Sequence, residues 1–155
     1  MPLHSKIEII PATWRDLGSL QELEKKTFPK DAWPLWDLIG ILTLPNLVRL
    51  KAVLAHEFAG FVAMEYKSKD QANWIATIGV LPAYQHGGIG SLLMDACEPL
   101  AKSGIIRLCV RASNDAAQKL YLKAGYQSVD IWHKYYFDEE DAFVMEKRLA
   151  KRKFG

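Results

Sequence analysis

The stretch "VLPAYQHGGIGSLLMDACE", residues 80–98, decides the fold because it joins the end of a strand to the start of a helix through three glycines. The run "NWIATIGVL" (73–81) predicts the strand, and Pro82 stops it. We expect Pro99 to kink the last turn of the helix and Gly104 to end it in a left-handed conformation. One apolar stripe at helical spacing predicts a buried helix face: Ile89, Leu92, Leu93, Ala96, Cys97 and Leu100.

The segments before this stretch predict one strand, two helices and a strand pair. "KIEII" (6–10) is typical of a short strand. Helices are predicted over 13–27 and 34–43, each closed by a following proline. Two β-rich runs, 48–55 and 59–68, flank a turn-like sequence and predict an antiparallel pair.

The segments after it predict a strand, a helix and two more strands. The strand "IIRLCVRA" (105–112) leads into a helix whose N-cap is Ser113 or Asn114 and which Gly125 ends. Strand, turn and strand complete the chain. The alternation predicts an α/β fold with a mixed sheet and helices on its faces.

Length and composition favour a single domain. The chain has 155 residues, half of them apolar, which predicts a single domain over 1–155. A net charge of +2 and one basic tail, "KRLAKRKFG", give little reason to expect nucleic acid. Two cysteines and no long apolar run predict a reduced, cytoplasmic protein without a membrane span. His4, His56 and His86 have no companions at ligand spacing, so no metal is expected.

The glycine cluster predicts an anion site. A helix that begins directly after a glycine turn leaves backbone N–H groups unpaired at the positive end of the helix dipole. Positive φ at Gly87, Gly88 and Gly90 would let phosphate oxygens approach these amides. The P-loop pattern does not fit, since Ser91-Leu92 stands where it needs Lys-Ser/Thr. The dinucleotide fingerprint does not fit either, since Leu93 stands where it needs a third spaced glycine. A tight turn without a ligand is the alternative.

Three motifs together resemble a known family. Gln85-His86-Gly87-Gly88-Ile89-Gly90 matches the pattern Gln/Arg-x-x-Gly-x-Gly/Ala of the GNAT superfamily of N-acetyltransferases. "VRASNDAAQKLYLKAGY" (110–126) resembles the second motif of that family. "YYFDEEDAFVMEKRL" (135–149) is similar to the C-terminal hairpin of its ribosomal-protein-alanine type, a protein N-terminal acetyltransferase. The resemblance implies a mostly antiparallel central sheet with splayed middle strands, and acetyl-CoA as cosubstrate.

The resemblance also implies residue roles. Tyr121 matches the tyrosine that protonates the departing CoA thiolate, although a core tyrosine is the alternative. Asn114 matches a pantetheine contact, and a helix N-cap explains it almost as well. Backbone groups of the glycine turn would hold the pyrophosphate, and Val80 and Leu81 would pair with pantetheine. The cofactor-binding set is Val80, Leu81, Gln85, His86, Gly87, Gly88, Ile89, Gly90, Ser91 and Asn114.

The glutamate at the position of the general base in the resembled family is missing from this sequence. Relatives of the ribosomal-alanine type read "LEVRASN" where this chain reads "LCVRASN", which places Cys109 at the glutamate position. Cys109 could relay a proton or be a small buried apolar residue. An α-amine of pKa about 8 is roughly 10% neutral at pH 7, whereas a lysine is about 0.04% neutral. An N-terminal amine therefore needs a base far less, although His133, Glu65 or the acidic turn 138–141 could serve through water.

The acceptor is expected to be a primary amine. A protein or peptide N-terminal α-amine leads, followed by a small free amine or polyamine; a non-catalytic acyl-CoA sensor is the alternative of a different class. For Trp33 and Trp36, packing in the core is as good an explanation as a role at the acceptor site. The acidic turn 138–141 could be solvated or could attract a cationic acceptor. We expect a monomer or homodimer. The predicted acceptor residues are Trp33, Trp36, His133, Tyr135 and Glu140.

Overall fold

A computed structural model describes residues 6–150 of the chain. Unit 1, one of two compact units, comprises Met1–Met64 and Ala76–Leu100. Unit 2 comprises Glu65–Ile75 and Ala101–Gly155. His4 lies outside the described residues, as does the end of the basic tail.

Seven strands form one sheet. They are β1 (Ile7–Pro11), β2 (Leu47–Leu54), β3 (Glu57–Lys67), β4 (Ala72–Val80), β5 (Ile105–Arg111), β6 (Gln127–Trp132) and β7 (Ala142–Arg148). Their order is β1-β2-β3-β4-β5-β7-β6. β4 and β5 pair in parallel through Asn73 with Ile106 and Trp74 with Arg107, whereas β7 pairs antiparallel with both β5 and β6. The predicted mixed, mostly antiparallel sheet is confirmed.

Four α-helices accompany the sheet within residues 6–150: α1 (Leu17–Thr27), α2 (Leu35–Thr43), α3 (Ile89–Cys97) and α4 (Asp115–Lys123). The predicted helix over 13–27 is divided, because a capping box between Thr13 and Asp16 holds a 3-10 turn before α1. None of the helices in this part of the chain is long and apolar enough to cross a membrane.

The end of α3 differs from the prediction. The α-helix stops at Cys97, and Glu98–Leu100 form a 3-10 turn rather than a kinked continuation. Pro99 explains this, since it lacks an N–H and its ring collides with the preceding turn. Gly104 was predicted to be left-handed, and this is wrong. Its carbonyl instead accepts a hydrogen bond from the N–H of Leu149 at 2.8 Å, directly before β5 begins.

The core of unit 1 lies between two helices and β3. Leu20 and Leu23 of α1 are fully buried, as their spacing requires. They pack in one cluster with Leu38 of α2 and Phe61 of β3. At about 25 cal/mol per Å² of apolar surface, each such side chain contributes about 1.5–3 kcal/mol.

A buried amide organises unit 2. Asn73 of β4 is 1% exposed, and its Nδ2 donates to the carbonyl of Ile105 at 2.8 Å and to the carbonyl of Ser103 at 3.2 Å. Its Oδ1 accepts from the N–H of Lys102 at 3.0 Å. Because a buried amide is costly unless paired, these bonds fix the turn that leads into β5.

Glu24 is a buried acid in unit 1. The residue is 1% exposed, and its carboxyl accepts hydrogen bonds from Thr77 Oγ1 at 3.0 Å and from the N–H of Trp33 at 3.5 Å. Among the described contacts, neither hydrogen bond to the Glu24 carboxyl comes from a basic side chain. Burial raises the pKa of Glu24 above its usual value, against the opposing effect of the two hydrogen bonds.

The raised pKa predicts a stability that depends on pH. The folded state holds a proton on Glu24 that the unfolded state releases above about pH 4.3, so this contribution is lost as pH rises through the folded pKa. Glu24→Gln keeps the shape and removes the titration. We expect urea unfolding to show the variant gaining stability relative to the wild type between acidic and neutral pH.

Glu22→Gln is the matched control, because Glu22 lies on the same helix and is half-exposed. It should show no such gain. A Glu24→Gln variant that follows the wild type at every pH would mean that Glu24 does not bind a proton on folding.

Candidate active site

The turn after β4 is held by its own backbone and by β3. The N–H of Leu81 donates to the carbonyl of Ala59 at 2.8 Å, and the carbonyl of Leu81 accepts from the N–H of Tyr84 at 2.8 Å. Gln85 Nε2 donates to the carbonyl of Val80 at 3.0 Å. Both polar backbone groups of Leu81 therefore already have partners in unit 1, which limits the pantetheine pairing expected of them.

The glycine turn leads directly into α3. Gly88 is the N-cap with φ of 82°, and no side chain of the described residues caps this helix end. The first amides of α3 consequently have no partner within the helix. A Cβ built on Gly88 would meet no atom within 4 Å, so the space beside the turn is open. The turn thus fits an anion such as pyrophosphate.

The glycines differ from the prediction in one respect. Positive φ was expected at Gly87, Gly88 and Gly90, but among them only Gly88 has it. His86 takes the other left-handed position, with φ of 69°. Histidine tolerates this conformation better than most side chains. Ile89 is 2% exposed, so it can offer a ligand its backbone but little of its side chain.

A cavity of about 860 Å³ in unit 1 borders the same turn. Leu81 and Tyr84 line it, together with α1 and the end of β2. Its charged lining includes an ion pair of Lys51 with Asp16 at 2.8 Å. This cavity was not predicted from the sequence.

The second set of predicted donor residues lies in unit 2, on α4. Asn114 is the N-cap, and its Oδ1 accepts from the N–H of Ala117 at 3.1 Å, which confirms the capping interpretation. Tyr121 lies on the buried face of α4 and is 8% exposed. Burial raises the pKa of Tyr121 to about 12, so the phenol is protonated at neutral pH and can act only as a proton donor.

Cys109 is a free, half-buried cysteine in β5. Burial raises the pKa of the Cys109 thiol to about 11, although the hydrogen bond to Tyr135 and the charge of Lys67 act in the opposite direction. Burial also raises the pKa of Tyr135. Neither group is an ionised base at neutral pH.

An aromatic run crosses the same part of unit 2. Trp74 stacks on Trp132 with ring centroids 5.6 Å apart, and Trp132 contacts Tyr135 at 5.4 Å. Tyr136 and Tyr135 make a T-shaped contact with ring centroids 5.0 Å apart. Sequence reasoning missed Trp74 and Tyr136. Tyr136 adjoins the predicted residue Tyr135 and Trp74 adjoins no predicted site residue, so the sequence did not indicate that these rings meet.

The remaining predicted acceptor residues are dispersed. Trp33 and Trp36 are in unit 1 and are 39% and 80% exposed, which excludes full core packing. In unit 2, His133 contacts Asp141 at 3.2 Å, and the Lys134 amide, together with His133, lowers the pKa of Asp141. Both carboxylate oxygens of Glu140 are occupied by protein donors.

Within residues 6–150, no three His, Cys, Asp or Glu side chains are grouped so as to hold a metal ion.

Comparison with known proteins finds acetyltransferases. The acetyltransferase (GNAT) family model matches residues 14–126. The catalytic subunit NAA10 of the Arabidopsis thaliana N-terminal acetyltransferase A complex is 32% identical over 145 residues, covering 89% of this chain and 76% of that protein. The N-alpha-acetyltransferase RimI of Mycobacterium tuberculosis is 42% identical over 74 residues, 47% of each chain.

Solved structures share the fold. The Escherichia coli ribosomal-protein-S18-alanine N-acetyltransferase superposes with a TM-score of 0.83 at 23% identity, covering 96% of this chain and 97% of that one. Arabidopsis thaliana NAA60 in complex with acetyl-CoA gives a TM-score of 0.83 at 19% identity, covering 93% and 100%. The chain belongs to the GNAT family of acetyltransferases. It is an N-acetyltransferase whose acetyl donor is acetyl-CoA.

The open space beside Gly88 generates a prediction. Gly88→Ala places a methyl group in that space and forces a left-handed alanine, which costs about 1–2 kcal/mol. We expect acetyl-CoA affinity, measured by calorimetry, to fall about tenfold, since the methyl group keeps phosphate oxygens from the amides.

Gly18→Ala is the control, because a Cβ there also meets no atom within 4 Å but Gly18 lies in α1 without positive φ. Its acetyl-CoA affinity should be that of the wild type. Full affinity in Gly88→Ala would place the phosphates away from this turn.

Proposed function

We propose that this enzyme acetylates protein N-terminal α-amino groups by direct transfer from acetyl-CoA. The observation that carries the proposal is the similarity over 145 residues to an N-terminal acetyltransferase catalytic subunit. The neutral thiol at Cys109 supports the choice of amine. An α-amine can lose its proton to water at neutral pH, whereas a lysine would need the base that is missing at this position.

The donor is bound largely by main-chain groups. The amides from His86 to Ser91, in the glycine turn and the first residues of α3, would hold the pyrophosphate, since this helix N-terminus has no capping side chain. The N–H of Gln85 was expected to join them, but it already donates to the carbonyl of Pro82 at 3.4 Å. Val80 would contact the pantetheine through its backbone. In unit 2, Asn114 Oδ1 is used by the cap, so Asn114 would contact the pantetheine through its Nδ2.

The reaction needs one proton donor. The neutral amine attacks the thioester carbon, the C–S bond breaks, and the sulfur takes the proton of the Tyr121 hydroxyl. A phenol of pKa about 12 matches a thiolate only if that thiolate is also desolvated. Cys97 shows the size of this effect in the same chain, because burial raises its pKa to about 12. The new amide nitrogen then returns a proton to the tyrosinate.

Tyr121→Phe tests this role. We expect turnover to fall by about 10² or more because the leaving sulfur departs without a proton. The dissociation constant of acetyl-CoA should be unchanged, since the hydroxyl is needed only when the bond breaks. Tyr126→Phe is the control, because its ring lies 6.1 Å from that of Tyr121 and the residue is also buried. Equal rates for Tyr121→Phe and the wild type would remove Tyr121 from the mechanism.

The acceptor class is tested by measuring the release of free CoA thiol from acetyl-CoA with three acceptors. These are a peptide with a free N-terminus, the same peptide blocked at the N-terminus but containing lysine, and a polyamine. We expect release with the free N-terminus alone, rising with pH toward about 8 as the α-amine loses its proton. Release with the polyamine alone would favour the small-amine alternative. Acetyl-CoA binding without release from any acceptor would favour an acyl-CoA sensor.

Three further expectations accompany this proposal. We expect a single domain over 1–155, a monomer or homodimer, and a cytoplasmic location. The family model supports the first, since its residues 14–126 belong to both units.

A further inference from the structure

The acidic turn between β6 and β7 is bound by a largely buried cation. Arg111, the last residue of β5, donates from Nη1 to both carboxylate oxygens of Asp138 at 3.0 Å and to Glu140 Oε1 at 2.7 Å. The side chain of Arg111 is 13% exposed, and its guanidinium carbon lies 4.3 Å from the centroid of the Tyr136 ring. These carboxylates therefore act on the protein itself rather than as free surface charge.

Glu140 carries the contact onward to the start of α4. Its second oxygen, Oε2, accepts from the N–H of Ser113 at 2.7 Å, and Ser113 directly precedes the N-cap Asn114. The N–H of Ala112 also donates to the carbonyl of Asp141 at 3.0 Å. Hydrogen bonds from Ser113 and Arg111 lower the pKa of Glu140, so the carboxylate is ionised when it makes them.

The turn also determines where the aromatic residues before it lie. The N–H of Tyr136 donates to the carbonyl of Glu140 at 3.2 Å, and the N–H of Glu139 donates to the carbonyl of Tyr136 at 2.8 Å. Tyr135 and Tyr136 are thus closed into the same loop as Glu140. One carboxylate joins the segment that bears these rings to the residue before Asn114.

We propose that Glu140 and Arg111 are positioning residues that hold the Tyr135–Tyr136 segment against the start of α4. The inference rests on the proposed function, in which Asn114 contacts the donor, and on the prediction from the sequence that Tyr135 contacts the acceptor. A single network in unit 2 then sets the geometry of groups for both substrates. Loss of Glu140 must weaken acceptor and donor together, although Glu140 touches neither.

A matched pair of variants tests this. Glu140→Ala removes the bridge, whereas Glu139→Ala removes an equal charge from the adjacent position of the same turn, where Glu139 has none of the Arg111 and Ser113 contacts described above. We expect Glu140→Ala to raise both the acceptor KM and the acetyl-CoA Kd about tenfold, less than the hundredfold that a misplacement of about 1 Å can cost. Glu139→Ala should change neither by more than about twofold.

Rescue separates positioning from folding. Glu140→Gln retains a carbonyl oxygen for the N–H of Ser113 and should recover part of both constants. If Glu140→Ala does not fold, Glu140→Gln and Arg111→Lys give the same comparison against Glu139→Gln. A fall in thermal midpoint with unchanged KM and Kd would overturn the proposal, because it would show a purely structural role.

Other outcomes also decide the question. Equal rises in acceptor KM for the Glu139 and Glu140 variants, lost at about 0.5 M salt, would overturn the proposal in favour of electrostatic attraction of the acceptor. If the wild type acetylates no peptide, the proposed function fails, and the acetyl-CoA Kd still decides whether Glu140 positions the donor residues. An unchanged Kd in Glu140→Ala would then overturn the inference independently.

Discussion

The start of α3 depends on a contact at which no side chain fits. A Cβ on Gly60 would lie 2.9 Å from the carbonyl oxygen of Gly79 and 3.2 Å from the side chain of Leu93, so β3, β4 and α3 approach more closely than any other residue would permit. Because Ile89 and Leu93 are seated on Gly60, packing holds the turn at 85–88 in place. The amides of that turn need no capping side chain and can face a ligand.

Burial shapes the chemistry more than any charged catalytic group does. Tyr121, Cys109 and Tyr135 all have a raised pKa, with desolvation as the main cause in each. A site built of such groups can give a proton but accepts one poorly. In the proposed reaction the acceptor must therefore arrive with a neutral amine, and an α-amine is neutral far more often than a lysine. The low polarity around Tyr121 thus favours an amine that is already neutral at pH 7.

Features set by neighbours in the chain could be read from the sequence, whereas features set by distant residues could not. The Asn114 cap and the burial of Ile89, Leu93 and Cys97 in α3 depend on spacings of three or four residues, and both were predicted. Leu92 and Leu100 were predicted on the same buried face, and this is wrong, since they are 41% and 48% exposed and Leu100 lies in the 3-10 turn beyond the end of α3. The stop at Gly104 failed because its backbone bonds to Leu149, 45 residues away. The acidic turn was ambiguous for the same reason, since Arg111 lies 29 residues before Glu140. The left-handed His86 had no local signal beyond its neighbouring glycines.

Cysteine at position 109 changes the acceptor chemistry without any need for a different fold. Burial raises the pKa of the Cys109 thiol, whereas Tyr135 and the charge of Lys67 act to lower it. A carboxylate here would find the same two partners, so the surroundings do not forbid a base. The thiol makes one hydrogen bond with Tyr135 and stays neutral, with a pKa of about 11. In the proposed reaction, removal of the amine proton is left to water.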